Sequence, residues 1–144
     1  MSTTNRMVRK NGRRKGAALL ETALALMVLI PLTLGMIEFS YFFFAKHSIQ
    51  GAAREGARSA ILPDATNTKV NTAVQNAMTM AGLQGSGYTV TLSPSNVATA
   101  AAGTQISVTV QCNWSTIWTV PVGVWSPKPS GGKVTGVTVM RKEG

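Results

Sequence analysis

The longest feature of the hydropathy pattern is an apolar segment that runs from Ala17 to Ala45. Its 29 residues are apolar or small apart from Glu21, Thr22, Thr33, Glu38, Ser40 and the amphipathic Tyr41. A helix needs about 20 such residues to cross the hydrocarbon of a bilayer, whereas the apolar part of a secretory signal has only about 7 to 15. The pattern therefore predicts one transmembrane helix over residues 17–45, in which the membrane surroundings tolerate Pro31.

The residues that follow predict that this helix continues beyond the membrane. Residues 46–61 contain no strong helix breaker before Pro63. Small and apolar residues recur there near one face of a helix, namely Ile49, Ala52, Ala53, Gly56, Ala60 and Ile61. We expect one helix from about Ala17 to about Ala60, with a stripe of small residues against which another layer packs closely.

A second, shorter helix is predicted within residues 63–82. Its apolar positions follow the spacing of one helix face, and they are Val70, Ala73, Val74, Ala77, Met78 and Ala81. Asp64 or Thr66 can cap the start of this helix, and Gly82 can end it.

Three later segments alternate between apolar and polar residues as strands do; they are residues 88–92, 104–112 and 133–141. In the third segment the apolar positions change faces at Gly136, which is typical of a β-bulge. Residues 115–125 are apolar but contain Pro121 and Gly123, which favours an edge strand or a wide loop. The expected fold class is α+β, with a long N-terminal helix, a short second helix and a small antiparallel sheet.

Positive charge is concentrated ahead of the apolar segment. Residues 1–16 contain six Lys or Arg and no acid, within a formal net charge of +9 for the whole chain. Basic residues beside a span stay on the cytoplasmic side, where anionic lipid also attracts them. A nucleic-acid-binding arm is disfavoured because no basic or aromatic groove follows. We expect a leader at 1–16, a span at 17–45 and an extracytoplasmic domain at 46–144.

The reactive side chains do not form a catalytic or metal-binding pattern. His47 is the only histidine, and Cys112 is the only cysteine, which excludes an internal disulfide and a cysteine-based metal site. Cys112 is either a small buried residue or free to pair with another chain. After the span, Glu55, Asp64 and Glu143 are too scattered to suggest a carboxylate pair. We therefore expect no enzyme activity, no cofactor and no metal.

Glu21 is an ionisable residue inside the predicted span, and two interpretations of it stay open. It can lie at headgroup depth, where the helix dipole stabilises it by about 0.3 to 1 kcal/mol. The alternative starts from Gly16, which follows Arg-Arg-Lys and directly precedes the apolar segment. A protease that cut after Gly16 would make Ala17 the new N-terminus and Glu21 the fifth mature residue.

This junction, KG followed by AALLE, resembles the processing site of type IV pilins and pseudopilins. In that family an intramembrane aspartyl prepilin peptidase cuts after the glycine. The glutamate is thought to neutralise the free amine of a neighbouring subunit during assembly. The resemblance thus implies that Gly16 and Ala17 form a processing site and that Glu21 acts in subunit assembly.

A longer stretch, from residue 16 to about 61, resembles the TadE-like proteins of the tight adherence (Flp-type IVb pilus) system. The shared features are Gly16 and Glu21, Pro31, GMIEF at 35–39 and AREGAR at 53–58, and the C-terminal VTGVTVMRKEG is also similar to the closing strand of that family. Thr22 stands where the major Flp pilins carry Tyr, which favours a minor pseudopilin over the fibre subunit. A pilin-like fold is implied.

The resemblance implies a single-pass inner-membrane protein that supports pilus assembly, either in the membrane or in the fibre. Its partners would be membrane lipid, the prepilin peptidase and other pilins or pilus assembly components, in a hetero-oligomer without nucleic acid. Arg54, Glu55 and Arg58 are either a docking patch or a solvated face with a weak Glu55–Arg58 pair.

The competing hypothesis is an uncleaved anchor whose outer domain binds an envelope ligand through tryptophans. Three such residues follow the second predicted helix, at Trp114, Trp118 and Trp125. Aromatic residues that bind a ligand stay accessible, whereas those that build a core do not. The exposure of these rings therefore discriminates between the two hypotheses.

Overall fold

The structure is a computed structural model that describes residues 12–117 and 131–143. Its elements in chain order are α1 (Gly12–Ala60), α2 (Asn67–Met80), β1 (Thr89–Ser93), β2 (Gln105–Asn113), α3 (Trp114–Ile117) and β3 (Lys133–Arg141). The α+β class expected from the sequence is confirmed. The chain divides into two compact units, of which the first ends at Ile37 and the second starts at Glu38.

The described residues of the first unit all belong to α1, and most of its large apolar side chains from Leu19 to Ile37 are exposed. The hydroxyls of Thr22 and Thr33 donate to the carbonyl oxygens of Ala18 and Leu29, at 2.9 and 2.8 Å. These bonds within the helix matter in lipid, where no water is present to satisfy a polar group. By length and composition, α1 is the one helix in the described part of the chain that could cross a membrane. It fits a single-pass membrane anchor.

Helix α1 starts earlier than expected and ends where expected. It begins at Gly12 rather than near Ala17, because the Arg and Lys residues at 13–15 favour helix. It ends at Ala60, and one further helical bond joins the Ile61 N–H to the Ala57 carbonyl oxygen at 3.2 Å. Pro31 lies inside the helix.

The second unit is built on a three-stranded antiparallel sheet with the order β1-β2-β3. The central strand, β2, pairs with β1 from Thr89↔Gln111 to Ser93↔Ser107. It pairs with β3 without interruption from Gln105↔Arg141 to Asn113↔Lys133, so that Gly136 lies opposite Val110. The β-bulge predicted at Gly136 is therefore wrong.

Gly136 is required by the approach of α1 to the sheet. A Cβ at this position would lie 2.7 Å from the Ile49 carbonyl oxygen and 2.9 Å from the backbone N and Cα of Gln50. No side chain fits in that space, because real Cβ atoms do not approach other heavy atoms so closely. The apolar positions change faces within a regular strand, since Val134 and Gly136 are buried on one face whereas Val137 and Val139 are exposed on the other.

The small-residue stripe of α1 forms one wall of the core. Ala45, Ile49, Ala52, Ala53, Gly56, Ala57 and Ala60 are buried along it, whereas Ile61 is only partly buried. At Gly56, α1 meets both α2 and β2, and a Cβ there would lie 2.6 Å from Val74 Cγ2 and 3.1 Å from Val108 Cγ1. The predicted close packing of another layer against the stripe is confirmed.

Helix α2 starts at the second of its two candidate caps. Thr66 has extended backbone geometry, and its side-chain oxygen accepts a hydrogen bond from Lys69 N at 3.2 Å. Asp64 instead forms an ion pair with the Lys69 ammonium. The apolar face of α2 enters the core through Val70, Val74 and Met78, and Gly82 follows the C-cap with a φ of +69°.

The expectation of an edge strand or wide loop at 115–125 is wrong for its described part, residues 115–117, which form a helical turn in α3. Helical spacing turns Trp114 and Ile117 to the same side, and both are buried. The Thr116 hydroxyl lies within hydrogen-bond distance of the Asn113 and Ser86 carbonyl oxygens, at 2.7 and 2.8 Å. The rest of that segment lies outside the described residues.

Candidate functional site

The predicted processing site lies on an uncovered part of α1. Gly16 and Ala17 are exposed, and no heavy atom outside the local helix backbone lies within 4 Å of the position that a Gly16 Cβ would occupy. The peptide bond between them is therefore not shielded by other described residues. The bond lies within helix α1.

Glu21 is exposed one helical turn further along α1. Within residues 12–117 and 131–143, the ion pair between Lys69 and Asp64 is the only one, and no hydrogen bond engages the Glu21 carboxylate. A carboxylate in lipid is costly unless a partner offsets its charge. The described part of the chain does not provide that partner.

The AREGAR segment at 53–58 divides into a buried face and an exposed face. Ala53, Gly56 and Ala57 are buried in the core of the second unit. Arg54, Glu55 and Arg58 are exposed. The buried half of the segment is explained by packing, whereas the three charges are not needed for that packing.

The exposed face of AREGAR carries no internal ion pair. Glu55 does not form the expected bridge with Arg58. This face belongs to the second unit, whereas Gly16, Ala17 and Glu21 belong to the first. The three charges are thus open to a partner.

Sequence reasoning missed an aromatic cluster at the start of the second unit. Phe42 contacts Trp114 edge to face, with ring centroids 5.0 Å apart and an interplanar angle of 75°. Tyr41 contacts the same indole at 6.3 Å and 46°. The FSYFFF run signals aromatic contacts, but nothing in the local sequence indicates that Trp114 lies opposite.

Trp114 is a core residue in this structure. It is only 7% exposed, between the aromatic rings of α1 and the end of β2. A ligand that stacked on this ring would have to displace those neighbours first. The structure therefore does not support Trp114 as a ligand-binding residue. Trp118 and Trp125, the other two tryptophans of that hypothesis, lie outside the described residues.

Cys112 is also part of the core. The residue is 2% exposed, and its Sγ lies 3.9 Å from the Val134 carbonyl oxygen. Burial raises the pKa of the Cys112 thiol to about 11, because the low-dielectric surroundings disfavour the thiolate. A covered, protonated thiol is a poor partner for a disulfide with another chain.

No metal centre is evident in the part of the chain that the structure describes. His47 is exposed on α1. Among residues 12–117 and 131–143, no three His, Cys, Asp or Glu side chains come together as metal ligands would.

The second unit has an α+β fold, and the exposed apolar helix near the N-terminus fits a single-pass membrane anchor. Residues 16–58 match the family model of TadE-like proteins, and all of them lie on α1. This match confirms the resemblance to the TadE-like family. No curated protein and no solved structure matches the chain. TadE-like proteins belong to Tad pilus systems, so the match and the apolar helix fit a membrane-anchored pilus component.

Proposed function

We propose that this chain is a minor pseudopilin that supports assembly of a bacterial tight adherence pilus. The single observation that carries the proposal is the TadE-like match over residues 16–58, which starts at the glycine of the candidate processing site. The basic leader ahead of it favours a cytoplasmic N-terminus. The anchor would then lie in the inner membrane, with the α+β domain outside the cytoplasm.

The prepilin peptidase would cut the chain between Gly16 and Ala17. The lack of any cover over this bond in the described structure supports access by the enzyme. Cleavage would remove the basic leader and create an α-amine at Ala17. The mature chain would then carry a positive charge at its first residue and the Glu21 carboxylate at its fifth.

Glu21 would pair with the amine of a neighbouring subunit as the helices come together in lipid. The absence of a partner for its carboxylate within the described chain supports this role. A buried ion pair compensates two charges that would each be costly alone. The pair would therefore select a register in which the first and fifth residues of adjacent helices meet.

The exposed charges of AREGAR would contact another pilus component. Arg54, Glu55 and Arg58 lie on a helix whose opposite face is already held by the core. The backbone of these three residues is thus held in place by the core, while their side chains form no ion pair within the described chain and can bind a partner. The protein would act through such contacts, as a structural subunit and not as an enzyme.

The proposal is tested by the intact mass and N-terminal sequence of the protein taken from native membranes. A mature chain that begins at Ala17 is expected. A Leu residue in place of Gly16 should block cleavage, whereas Gly35→Leu, which changes a glycine far from the junction, should leave cleavage unchanged. A wild-type chain that keeps its leader in a strain with an active peptidase would contradict prepilin-type processing.

A further inference from the structure

Three phenylalanine side chains at the start of the second unit are left uncovered. Phe39, Phe43 and Phe44 are 67%, 52% and 49% exposed. Ring contacts join two of them to partly buried rings of the aromatic cluster, Phe43 to Phe42 at 5.7 Å and Phe44 to Tyr41 at 6.2 Å. Large apolar groups exposed side by side mark a surface that another phase or partner covers.

Phe42 and Trp114 connect these phenylalanines to one end of the sheet. The Phe42 ring packs on the Trp114 indole, and the backbone N–H of Trp114 donates to the Gly132 carbonyl oxygen at 2.7 Å. Lys133, the next residue, opens β3 and is exposed. The first residue of β3 is thus held near the level of Phe42 on α1.

The other end of the sheet is held much further along α1. Arg141, the last residue of β3, pairs with Gln105, and its Nε donates to the Gly103 carbonyl oxygen at 2.8 Å. Two residues later, the Glu143 N–H donates to the Ile61 carbonyl oxygen at 3.0 Å, just past the end of α1. At about 3.3 Å per residue, Lys133 and Arg141 are about 26 Å apart along the strand.

The end of the unit that carries the phenylalanines also carries lysines. Lys46 is exposed two residues after Phe44, and Lys133 is exposed at the start of β3. The acid on this stretch of α1 is Glu38, which is partly buried. Lysines near the end of a membrane helix can extend their ammonium groups to the lipid headgroups while their apolar stems and neighbouring apolar side chains stay towards the acyl chains.

We propose that the Lys133 end of the sheet lies in the headgroup region of a phospholipid bilayer. The exposed phenylalanines would enter the boundary of the acyl chains, and the ammonium groups of Lys46 and Lys133 would donate to lipid phosphates. Phospholipid is favoured as the occupant because this surface directly follows the apolar segment of α1 in the chain. The Arg141 end lies in water.

This inference rests on the proposed membrane anchor and adds a specific point to it. No solvent-exposed helical spacer separates the folded domain from the bilayer in this proposal. One end of its sheet contacts lipid, which restricts the tilt of the domain on the membrane. The described elements that meet at this end include α1, the end of β2, the start of α3 and the start of β3.

The test measures depth at three sites in the full chain, reconstituted in phospholipid vesicles. Single cysteines are introduced as Val28→Cys in the apolar segment, Lys133→Cys and Arg141→Cys, and each is labelled with a fluorophore. Quenching is read with phospholipids brominated near the headgroup and with iodide in the water. The wild-type chain, whose only thiol is the buried Cys112, gives the background of labelling.

The label at 133 is expected to be quenched several-fold more by brominated lipid than the label at 141, and several-fold less by iodide. Both are exposed cationic positions on the same strand, so they form a matched pair. Equal, fully aqueous quenching at 133 and 141, with lipid quenching at 28, would overturn the inference and leave the anchor intact. A label at 28 that only iodide quenches would overturn both.

Discussion

Gln50 on α1 and Val137 on β3 are joined by two hydrogen bonds. The Gln50 Nε2 donates to the Val137 carbonyl oxygen at 2.8 Å, and the Val137 N–H donates to the Gln50 Oε1 at 3.2 Å. The side-chain amide thus pairs with the outer edge of β3 in the way that a neighbouring strand would. Unpaired backbone groups on an edge strand can pair with other chains. Gln50 prevents this at Val137 by satisfying its N–H and carbonyl oxygen.

Gln50→Ala should destabilise the second unit by about 1 to 3 kcal/mol, since two hydrogen bonds each contribute about 0.5 to 1.5 kcal/mol. The Val137 amide should also exchange its hydrogen faster. Thermal unfolding and amide hydrogen exchange in detergent micelles measure both effects. Gln75→Ala, an exposed change on α2, is the control and should alter the free energy of unfolding by less than about 0.5 kcal/mol.

Gly56→Ala should destabilise the unit by about 1 to 3 kcal/mol, the range for overpacking a filled core. The added methyl would meet Val74 Cγ2 at 2.6 Å. Gly51→Ala on the same helix meets nothing within 4 Å, and should instead stabilise α1 by up to about 1 kcal/mol because Ala favours helix over Gly. Denaturant or thermal unfolding compares the two variants. Similar stability of the two variants would show that the side chains around Gly56 rearrange to accommodate a methyl group without destabilising the unit.

Glu21→Ala should leave membrane insertion intact and reduce pilus assembly strongly, because the carboxylate is needed only when helices meet. Fractionation of the membrane and electron microscopy of the cell surface provide the two readouts. Thr22→Ala, which removes a hydroxyl bonded within its own helix, is the neighbouring control and should assemble normally. Normal piliation in the Glu21→Ala strain would remove the role assigned to this residue.

The double variant Arg54→Ala/Arg58→Ala should unfold with a free energy within about 0.5 kcal/mol of wild type, as is usual for exposed substitutions. If the exposed AREGAR face docks a pilus component, piliation should nevertheless fall. Unfolding in micelles and pilus counts are compared in the same strain. Full piliation would show that these arginines form a solvated face only.

Stability should depend on pH through Cys112 at alkaline pH. Its folded pKa of about 11 is raised by burial, above an unfolded value of about 8.5. The contribution of this raised pKa is fully present below the unfolded pKa and is lost as the pH rises through the folded one. Cys112→Ala should remove that part of the decline, which the difference between the two unfolding curves from pH 8 to 11 measures.

The features that local periodicity determines were predictable from sequence. The stripe of Ala52, Ala53, Gly56 and Ala60 follows from helical spacing, and the alternation in β2 follows from the two-residue repeat of a strand. The sequence also pointed to the charged residues of AREGAR as a surface face, but only the structure shows that Ala53, Gly56 and Ala57 of the same segment are buried.

The features that depend on distant residues were not predictable. A glycine in a strand has the same local signature whether it forms a bulge or admits another backbone, and at Gly136 the second applies because Gln50 lies opposite. Likewise, the turn of α3 depends on burying Trp114 against Phe42, far away in sequence. The roles of Gly16 and Glu21 depend on other proteins and stay predictions.

The order of the strands also bears on when the domain can fold as it is made. β3 is the last of the described strands, yet it is the partner of the central strand on one side and contacts α1 through Gly136 and Gln50. In a nascent chain whose synthesis has not yet reached Lys133, one edge of β2 is unpaired and the surface of α1 that β3 covers is exposed. Contacts between residues so far apart form slowly. The three-stranded sheet therefore cannot be completed until β3 has been synthesised.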